Sequence, residues 1–400
     1  MINSHYVPRL ILRKFSDKLS LYNVKTGELK ENISIERAYA IGDYYDSETE
    51  KNLSNKIESQ FGDLLANHIL KCDKEISLSR KQMLITKKFL LVSILRGFDE
   101  SFLINEKNFY INLEKEARER PDFNEANYNF PPQQKEVLGE TIKEYWLRSI
   151  NVVLDTDGTP QEILKHPEMT HVAYRWSEIV NAAYLSFWDS PDGRDEFVIT
   201  DVGMTSENEK CTYGIPGKNH RKCDIIKRWY EKEENINAKS QLYETFRRTA
   251  YFHENYEMFP ISPHRMIVLV CPFFKLRYLM KENGIKVPPL EELTVLSNEK
   301  LYEPNRNSYK LRQILGESLK YHEDDRYIYD AKTLSSEEIR YCNALFLDRI
   351  NTHLGFSSLE HAVGSIIKYK KLNDPPHVPR VDYTELYKII QERYLGSLNV

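Results

Sequence analysis

The chain has 400 residues, of which 41% are hydrophobic and 29% are charged, and its formal net charge is −4. This length allows one large domain or two of medium size, and the hydrophobic fraction suffices for a buried core. The acidic balance excludes the strongly basic surface that is typical of proteins that coat nucleic acid.

The sequence contains no candidate for a membrane-spanning helix. Its longest apolar runs, 89–95 and 266–271, are far shorter than the roughly 18 residues that such a helix needs. The N-terminus lacks the charged-then-apolar pattern of a signal peptide. The five cysteines are scattered without a CxxC pair, which favours reduced thiols and disfavours a zinc finger. We therefore expect a cytoplasmic protein without a membrane partner.

The first sixteen residues are unusually specific for a chain terminus. They contain His5, Pro8, Arg9 and Arg13, whereas termini are usually frayed unless the fold ties them down. Histidine exchanges protons near neutral pH, and arginine binds phosphate or carboxylate as a fixed fork. This set suits a phosphate site with His5 as acid, base or ligand. Alternatively, His5 is a buried structural histidine and the arginines pin the terminus to acidic helices.

The remaining pattern predicts an α+β fold that is mostly α-helical. Alternation around a Gly27 turn predicts a hairpin over 19–35, and three-and-four spacing predicts helices. We expect one small mixed or antiparallel sheet, built from the N-terminal hairpin and the central strands. The predicted helices lie at 47–72, 79–96, about 100–118, 132–152, 160–166, from about 335 through Leu354, and 382–394; the predicted strands lie at 183–188, 196–201 and 266–271.

The domain prediction follows from this order of elements. Residues 1–360 are expected to form a single α+β domain, helical over 45–155 and strand-containing over 170–275. A polar insertion interrupts the second part at 202–256. Residues 361–400 are expected to form a C-terminal extension with a terminal helix.

Three charged positions in the predicted elements are candidates for chemistry. Asp201 ends a predicted strand, a common position for a base or a metal ligand, although an Asx-turn cap would place it there too. Glu58 and Arg96 stand beside apolar positions on two predicted helices. They could pair as structural glue or orient another group.

A local basic cluster lies within the polar insertion. It comprises His220, Arg221 and Lys222, with Trp229 and Tyr230 nearby. Basic and aromatic side chains together suit contact with nucleic acid, because phosphates need cations and bases need stacking surfaces. A solvated loop would have the same composition.

These segments together resemble a mostly microbial family known as domain of unknown function 4238. The resemblance covers residues 1 to roughly 360, and its members typically open with His-Tyr-Val-Pro. This chain departs from the family at Val202-Gly203, where the family prefers Asn-Pro. The matching motifs are His5–Pro8, Leu12–Ser16, the helix positions Glu58 and Arg96, Ile199–Asp201, Pro260-Ile261-Ser262-Pro263, and Tyr341–Leu345 with its asparagine at 343.

The resemblance implies an arrangement of residues rather than a reaction. Its polar motif residues come from separated segments, and buried cores seldom need such residues, so they would form one polar pocket, and a candidate site, if they converge. The motif residues in this set are His5, Arg9, Arg13, Glu58, Arg96, Asp201 and Ser262.

The first functional hypothesis is a metal-assisted phosphodiester hydrolase, a nuclease that serves as an antiphage-defence effector or toxin. Asp201 and Glu58 would hold Mg²⁺ or Mn²⁺, with His5 as base or ligand. No zinc-finger, nucleotide-cofactor or haem motif is present. The expected substrate-binding residues are Arg9, Arg13, Arg96, Ser262, His220, Arg221 and Lys222.

Two other readings stay open. The same pocket could serve a non-enzymatic sensor that recognises a nucleotide, a nucleic acid or a protein trigger. The motif residues could also be structural pairs in a scaffold. Nucleic acid and a regulatory protein are the expected partners.

Overall fold

A computed structural model describes most of the N-terminal third and several later segments of the chain. Most of the predicted polar insertion and the helix predicted at about 100–118 lie outside the described residues. The described residues are 3–72, 74–97, 141–157, 160–163, 165, 170–176, 179–180, 183–191, 195–208, 255–270, 300–302, 326–371 and 381–395.

The N-terminus is built into the fold by short elements. These are β1 (Asn3–His5), α1 (Arg9–Phe15), β2 (Lys18–Asn23), β3 (Glu28–Ser34) and β4 (Ala40–Gly42). β1 pairs antiparallel with β4, and β2 and β3 form the predicted hairpin. Gly27 in its turn has a φ of +72°, a conformation that glycine adopts without strain.

The next segment is helical, as the spacing of its apolar residues predicts. Its elements are α2 (Ser47–Leu53), a π-helical turn (Ser54–Glu58), α3 (Ser59–Leu64), a second π-helical turn (Leu65–Ile69), β5 (Glu75–Ser79), α4 (Arg80–Arg96) and α5 (Ile142–Asp155). Both α4 and α5 begin with a capping box, in which Ser79 pairs with Gln82 and Thr141 with Glu144. No described helix is both long enough and apolar enough to cross a membrane.

The rest of the described chain alternates short strands and helices. Its elements are α6 (Pro160–Ile163), α7 (Thr170–Trp176), β6 (Tyr184–Asp189), β7 (Ile199–Thr200), β8 (Thr205–Asn208), β9 (Asn255–Ser262), β10 (Arg265–Val270), β11 (Lys300–Tyr302), β12 (Arg326–Asp330), β13 (Lys332–Thr333), α8 (Ser336–Asp348), β14 (His353–Phe356), α9 (Leu359–Lys371), α10 (Thr384–Ile390) and a π-helical turn (Gln391–Leu395).

The strands that the structure describes form four sheets, so the prediction of one small sheet is wrong. The hairpin continues through β14 to β7, in the order β3-β2-β14-β7, whereas most central strands form a separate sheet, β13-β6-β10-β9-β8. Two smaller sheets are β1-β4 and β11-β12-β5. Helices hold 50% and strands 26% of the described residues, so the class is α+β, with more strand than one small sheet could hold. Several strands have only two to four residues, too few for alternation to be visible.

A second correction concerns the helix that starts near residue 335. Its apolar stripe was predicted to run through Leu354, but α8 ends at Asp348 and Leu354 lies in β14. The apolar spacing is ambiguous because Leu354 is buried either way. β14 is held between β2 and β7 by pairing over long distances in sequence, which no local pattern reveals.

Two hydrophobic clusters pack the helices against the sheets. The first surrounds α4, in which 11 of the 17 residues are buried, and includes a stacked pair, Phe61 and Phe89, with ring centroids 3.8 Å apart. The second packs α8, α9 and α10 against β2 and β14. It buries Tyr383 from the C-terminal region beside Tyr22 from β2, and the ring centroids of these two are 6.2 Å apart.

We expect Gly355→Ala to lower the free energy of unfolding by about 1–3 kcal/mol, the usual cost of overpacking. A β-carbon there would collide with the Tyr39 hydroxyl and lie 3.0 Å from Ile199 Cγ2. Gly62→Ala in α3 is the matched control, since its β-carbon would meet nothing within 4 Å. Urea unfolding followed by circular dichroism measures both. Equal stability of the two variants would contradict the close packing between β14 and β7.

Candidate functional site

Arg96, the last residue of α4, is buried, and each of its three guanidinium nitrogens donates to a protein group. Its guanidinium donates to the Tyr45 hydroxyl (2.9 Å), to Glu58 Oε1 (2.5 Å) and to the backbone oxygen of His5 (2.5 Å). Its side chain is 3% exposed. The structure brings together three of the motif residues, His5, Glu58 and Arg96, and their contacts are those of a structural centre. Arg96 ties β1 and the first π-helical turn to the end of α4.

His5 is buried within the same centre and does not present an open imidazole. Its Nε2 lies 3.2 Å from the backbone oxygen of Ile35, and its own carbonyl accepts from Arg96. Only 4% of the residue is exposed. These contacts fix β1 against the segment that follows β3, which is the structural alternative considered for His5.

Asp201 follows β7 directly and anchors the start of β14. Its carboxylate accepts three backbone hydrogen bonds, from Asn351 (3.1 Å), Thr352 (2.5 Å) and His353 (3.2 Å). Burial raises the pKa of the Asp201 carboxyl, although the three N–H donors oppose that shift. A carboxylate has about four lone-pair sites, so these donors leave little free capacity on Asp201.

His353 at the start of β14 is half-buried beside Asp201. Burial lowers the pKa of its imidazole, and the positive charges of Lys30 and Lys25 lower it further, while Asp201 opposes the shift. Its Nε2 lies 3.3 Å from the side-chain amide nitrogen of Asn23 on β2. No sequence motif marked Asn23 or His353, and the two residues are 330 positions apart.

Three tyrosines form an aromatic wall next to this pair. The rings of Tyr6 and Tyr39 meet edge to face with centroids 5.7 Å apart, and those of Tyr6 and Tyr44 are 5.8 Å apart with a tilt of 58°. Burial raises the pKa of all three hydroxyls, and the Asp201 charge raises each further. The three are therefore neutral hydrogen-bonding groups at pH 7.

Tyr39 holds an unusual backbone conformation for a bulky residue. Its φ is +54°, a region that side chains with a β-carbon rarely adopt. Its hydroxyl donates to the backbone oxygen of Ile199 in β7 at 3.0 Å and lies 3.4 Å from that of His353 in β14. Such strain persists only where surrounding contacts over-determine it, which often happens at functional sites.

These groups border one cavity of about 690 Å³. Its size falls within the range of about 300–1,000 Å³ that is typical of small-molecule sites. Ile41, the one exposed large hydrophobic side chain among the described residues, also lines it. The lining residues are Tyr6, Leu21, Asn23, Glu28, Lys30, Ile33, Arg37, Tyr39, Ala40, Ile41, Tyr44, Arg96, Gly97, Asp201, Asn351, Thr352 and His353.

Two cations at this cavity retain the ability to bind a ligand. Arg37 is exposed and has no ion-pair partner among the described residues. Lys30 lies 3.1 Å from Glu28, but both side chains are more than half exposed, so this pair is weak. The cavity lining therefore combines aromatic side chains and cations with Asp201 and His353.

The remaining predicted site residues lie elsewhere. Arg9 is 3.4 Å from Glu36 in a largely exposed ion pair, and Arg13 is exposed on α1. The Ser262 hydroxyl accepts from the backbone nitrogen of Arg265 (2.9 Å), closing the turn between β9 and β10. None of these lines the cavity. The predicted basic cluster of His220, Arg221 and Lys222 lies outside the described residues.

The two carboxylates predicted to hold a metal are both occupied by protein groups. Glu58 pairs with Arg96, and Asp201 accepts its three backbone hydrogen bonds. Within the described segments, no group of three His, Cys, Asp or Glu side chains is arranged to hold a metal ion. Glu58 and Asp201 thus do not fit a shared metal centre.

We expect the His353 titration to contribute to the pH dependence of stability. Its pKa in the folded state is below the ordinary 6.5, so the unfolded chain binds more protons at this position in mildly acidic solution. The contribution of neutral His353 to the stability of the folded state is complete above pH 6.5 and is lost as the pH falls. Urea unfolding between about pH 5 and pH 7.5 should show a smaller decline for His353→Gln than for wild type. Identical slopes would contradict the shift.

Comparison with known proteins agrees with the motif pattern. A family profile described as a protein of unknown function, DUF4238, matches residues 3–357. No curated protein and no solved structure matches the chain. The match includes the opening His-Tyr-Val-Pro segment, whose Tyr6 lines the cavity, and Asp201. The chain therefore belongs to the DUF4238 family, and the resemblance seen in its sequence is confirmed.

Proposed function

We propose that this protein binds a nucleotide-like ligand, with a planar ring and a phosphate, in the cavity bordered by Tyr6, Tyr44 and Arg37. The observation that carries the proposal is that three tyrosines and two weakly paired cations, Arg37 and Lys30, line one cavity of about 690 Å³. Nucleotide sites need a flat apolar surface for the base and positive charge for the phosphate. These features support the hypothesis of a non-enzymatic sensor better than that of a nuclease.

The aromatic geometry favours stacking on one face of the ligand. Tyr6 and Tyr44 are 5.8 Å apart and tilted by 58°, too close and too inclined for a base to enter between them. Both hydroxyls stay protonated because burial raises their pKa. A stacked base would therefore meet neutral hydrogen-bonding groups along its edge.

The charges favour a phosphate beside Arg37 and Lys30. Arg37 is exposed, and the ion pair that Lys30 forms with Glu28 is exposed and therefore weak. Arg96 also borders the cavity, but its guanidinium is neutralised by Glu58 and bound on all sides. Phosphate recognition consequently depends on Arg37 and Lys30.

We expect Arg37→Ala to weaken nucleotide binding at least about tenfold, since a hydrogen bond to a charged group contributes about 1.5–3 kcal/mol. Isothermal titration with AMP, GMP, CMP and UMP measures the affinity. Arg13→Ala is the matched control, because Arg13 is an exposed arginine that does not line the cavity. Binding that is equally strong in both variants, or absent from folded wild type for every nucleotide, would refute the proposal.

Phosphodiester hydrolysis in the same cavity is the second candidate. The observation that favours it is the contact of two titratable residues at the cavity: the His353 backbone nitrogen donates to Asp201 Oδ2 at 3.2 Å, and burial raises the pKa of Asp201 and lowers that of His353. Titratable groups with displaced pKa values cluster at catalytic sites. A nuclease of this kind would suit a defence effector or toxin.

A cleavage assay tests this second candidate. Wild type and His353→Gln would be incubated with plasmid DNA, single-stranded DNA, tRNA and total RNA, each with Mg²⁺ and with Mn²⁺. Hydrolysis predicts products from wild type and at least about a hundredfold fewer from the variant, the usual contribution of an acid–base group. His353 is preferred to His5 as the variant, since the contacts of His5 are structural. Equal activity of the two proteins would remove His353 from the reaction.

A further inference from the structure

We propose that Asn23 is a positioning residue that fixes His353 as a neutral imidazole with its proton on Nδ1. The cavity then presents a neutral hydrogen-bond donor to an acceptor atom of the ligand. The donor role of His353 toward a ligand rests on the proposed function, whereas its tautomer does not.

The orientation of the Asn23 amide is set by its own turn. Its oxygen Oδ1 accepts from the backbone nitrogens of Lys25 (2.9 Å) and Thr26 (3.1 Å). An amide nitrogen in that place would oppose two donors, so the oxygen must face the turn. The amide nitrogen Nδ2 therefore faces His353, at 3.3 Å from Nε2.

This orientation determines where the imidazole carries its proton. An amide nitrogen can only donate, so the Nε2 that receives it must have a free lone pair. A neutral imidazole protonates one of its two nitrogens, and the remaining one here is Nδ1. No partner of Nδ1 is found within the described parts of the chain. Its proton is thus available to a molecule in the cavity that His353 lines.

The charged groups around the His353 imidazole have opposite effects on its protonation. Asp201 favours the imidazolium, whereas Lys30 and Lys25 disfavour it. The backbone nitrogen of His353 donates to Asp201 Oδ2 at 3.2 Å, and the Tyr39 ring meets the imidazole edge to face with centroids 6.5 Å apart. Asn23 supplies a donor but no charge, so it holds the ring without stabilising the imidazolium. An aspartate in its place would do the opposite.

Asn23→Asp is the sharpest variant because it changes one atom and keeps the turn. One carboxylate oxygen can still accept from Lys25 and Thr26, while the other replaces the amide nitrogen and requires a proton on Nε2. We expect the His353 pKa to rise by about one to three units, as is usual for an opposite charge at this distance. Asn351→Asp is the charge control, since Asn351 is exposed and lines the same cavity.

Long-range ¹H–¹⁵N correlation on protein labelled at histidine measures the tautomer directly, and His353→Gln assigns the signal. The proposal predicts the Nδ1-protonated form in wild type and in Asn351→Asp, with Nε2 protonated in Asn23→Asp. An Nε2-protonated wild type would overturn it, and so would an unchanged His353 titration in Asn23→Asp. If Asn23→Asp fails to fold, the wild-type spectrum decides alone.

The same spectra separate this proposal from the proposed function. Inorganic phosphate and AMP would be titrated into wild type while the Nδ1 signal is followed. A shift of that signal on binding supports the donor role toward the ligand. The expected tautomer without any response to either probe would uphold the role of Asn23 and contradict the donor role of Nδ1 toward the ligand, while nucleotide binding itself is decided by the titration calorimetry.

Discussion

Replacement of Arg96 by methionine is expected to lower the free energy of unfolding by about 3–5 kcal/mol, the usual effect of breaking a buried ion pair. Methionine fills most of the volume, so the loss would come from the groups left without a partner. These are the Glu58 carboxylate, the Tyr45 hydroxyl and the backbone oxygen of His5. Urea unfolding at neutral pH measures the difference.

Two further variants make the Arg96 experiment specific. Arg13→Met changes an exposed arginine of α1 and should alter the stability by less than about 0.5 kcal/mol. The double variant Arg96→Met and Glu58→Gln removes the orphaned charge and should recover part of the loss. A loss below about 1 kcal/mol in Arg96→Met would contradict a structural role for this centre.

Asp201→Ala is expected to lower the free energy of unfolding by about 2–4 kcal/mol, because three backbone N–H groups would lose their acceptor. Asp201→Asn should cost less, since its oxygen can still serve Thr352 and His353. Asp63→Ala, on the exposed face of α3, is the surface control. The same denaturation experiment ranks the three variants.

The stability of Asp201→Ala also distinguishes a residue that anchors β14 from one that is retained only for chemistry. Burial raises its pKa above the ordinary 3.8, so the folded state holds its proton more tightly than the unfolded chain. Ionisation therefore costs stability as the pH rises through the raised pKa. A residue retained only for chemistry would leave stability unchanged or increased when replaced. A stability of Asp201→Ala equal to wild type would thus contradict the anchoring role.

Local patterns predicted the elements whose signals are contained in one segment. The hairpin around Gly27 and the long helices have clear periodicity and capping residues, and they are present in the structure. The sheets were mispredicted because β14 is short and pairs with β2 and β7, which are far away in sequence. Leu354 illustrates the difficulty, since a buried leucine fits a helical stripe and a central strand equally well.

The candidate site was predictable in part. The motif residues Arg96 and Asp201 do border the cavity, but through contacts that make them supports. His353 and Asn23 carried no signal, because neither lies in a motif and their contact is set by the fold. Tyr6 could have been found, since it stands inside the opening His-Tyr-Val-Pro motif.

The pairing of Asn23 with His353 across 330 positions has a consequence for biosynthesis. At about 5–20 residues per second, roughly 15–65 s of translation separate the two residues. Until then the edge of β2 that pairs with β14 is open, which makes the nascent hairpin a site for chaperone contact or misassociation. A chain that terminates before β14 cannot close the cavity. The cavity can therefore form only after β14 (His353–Phe356) has been translated.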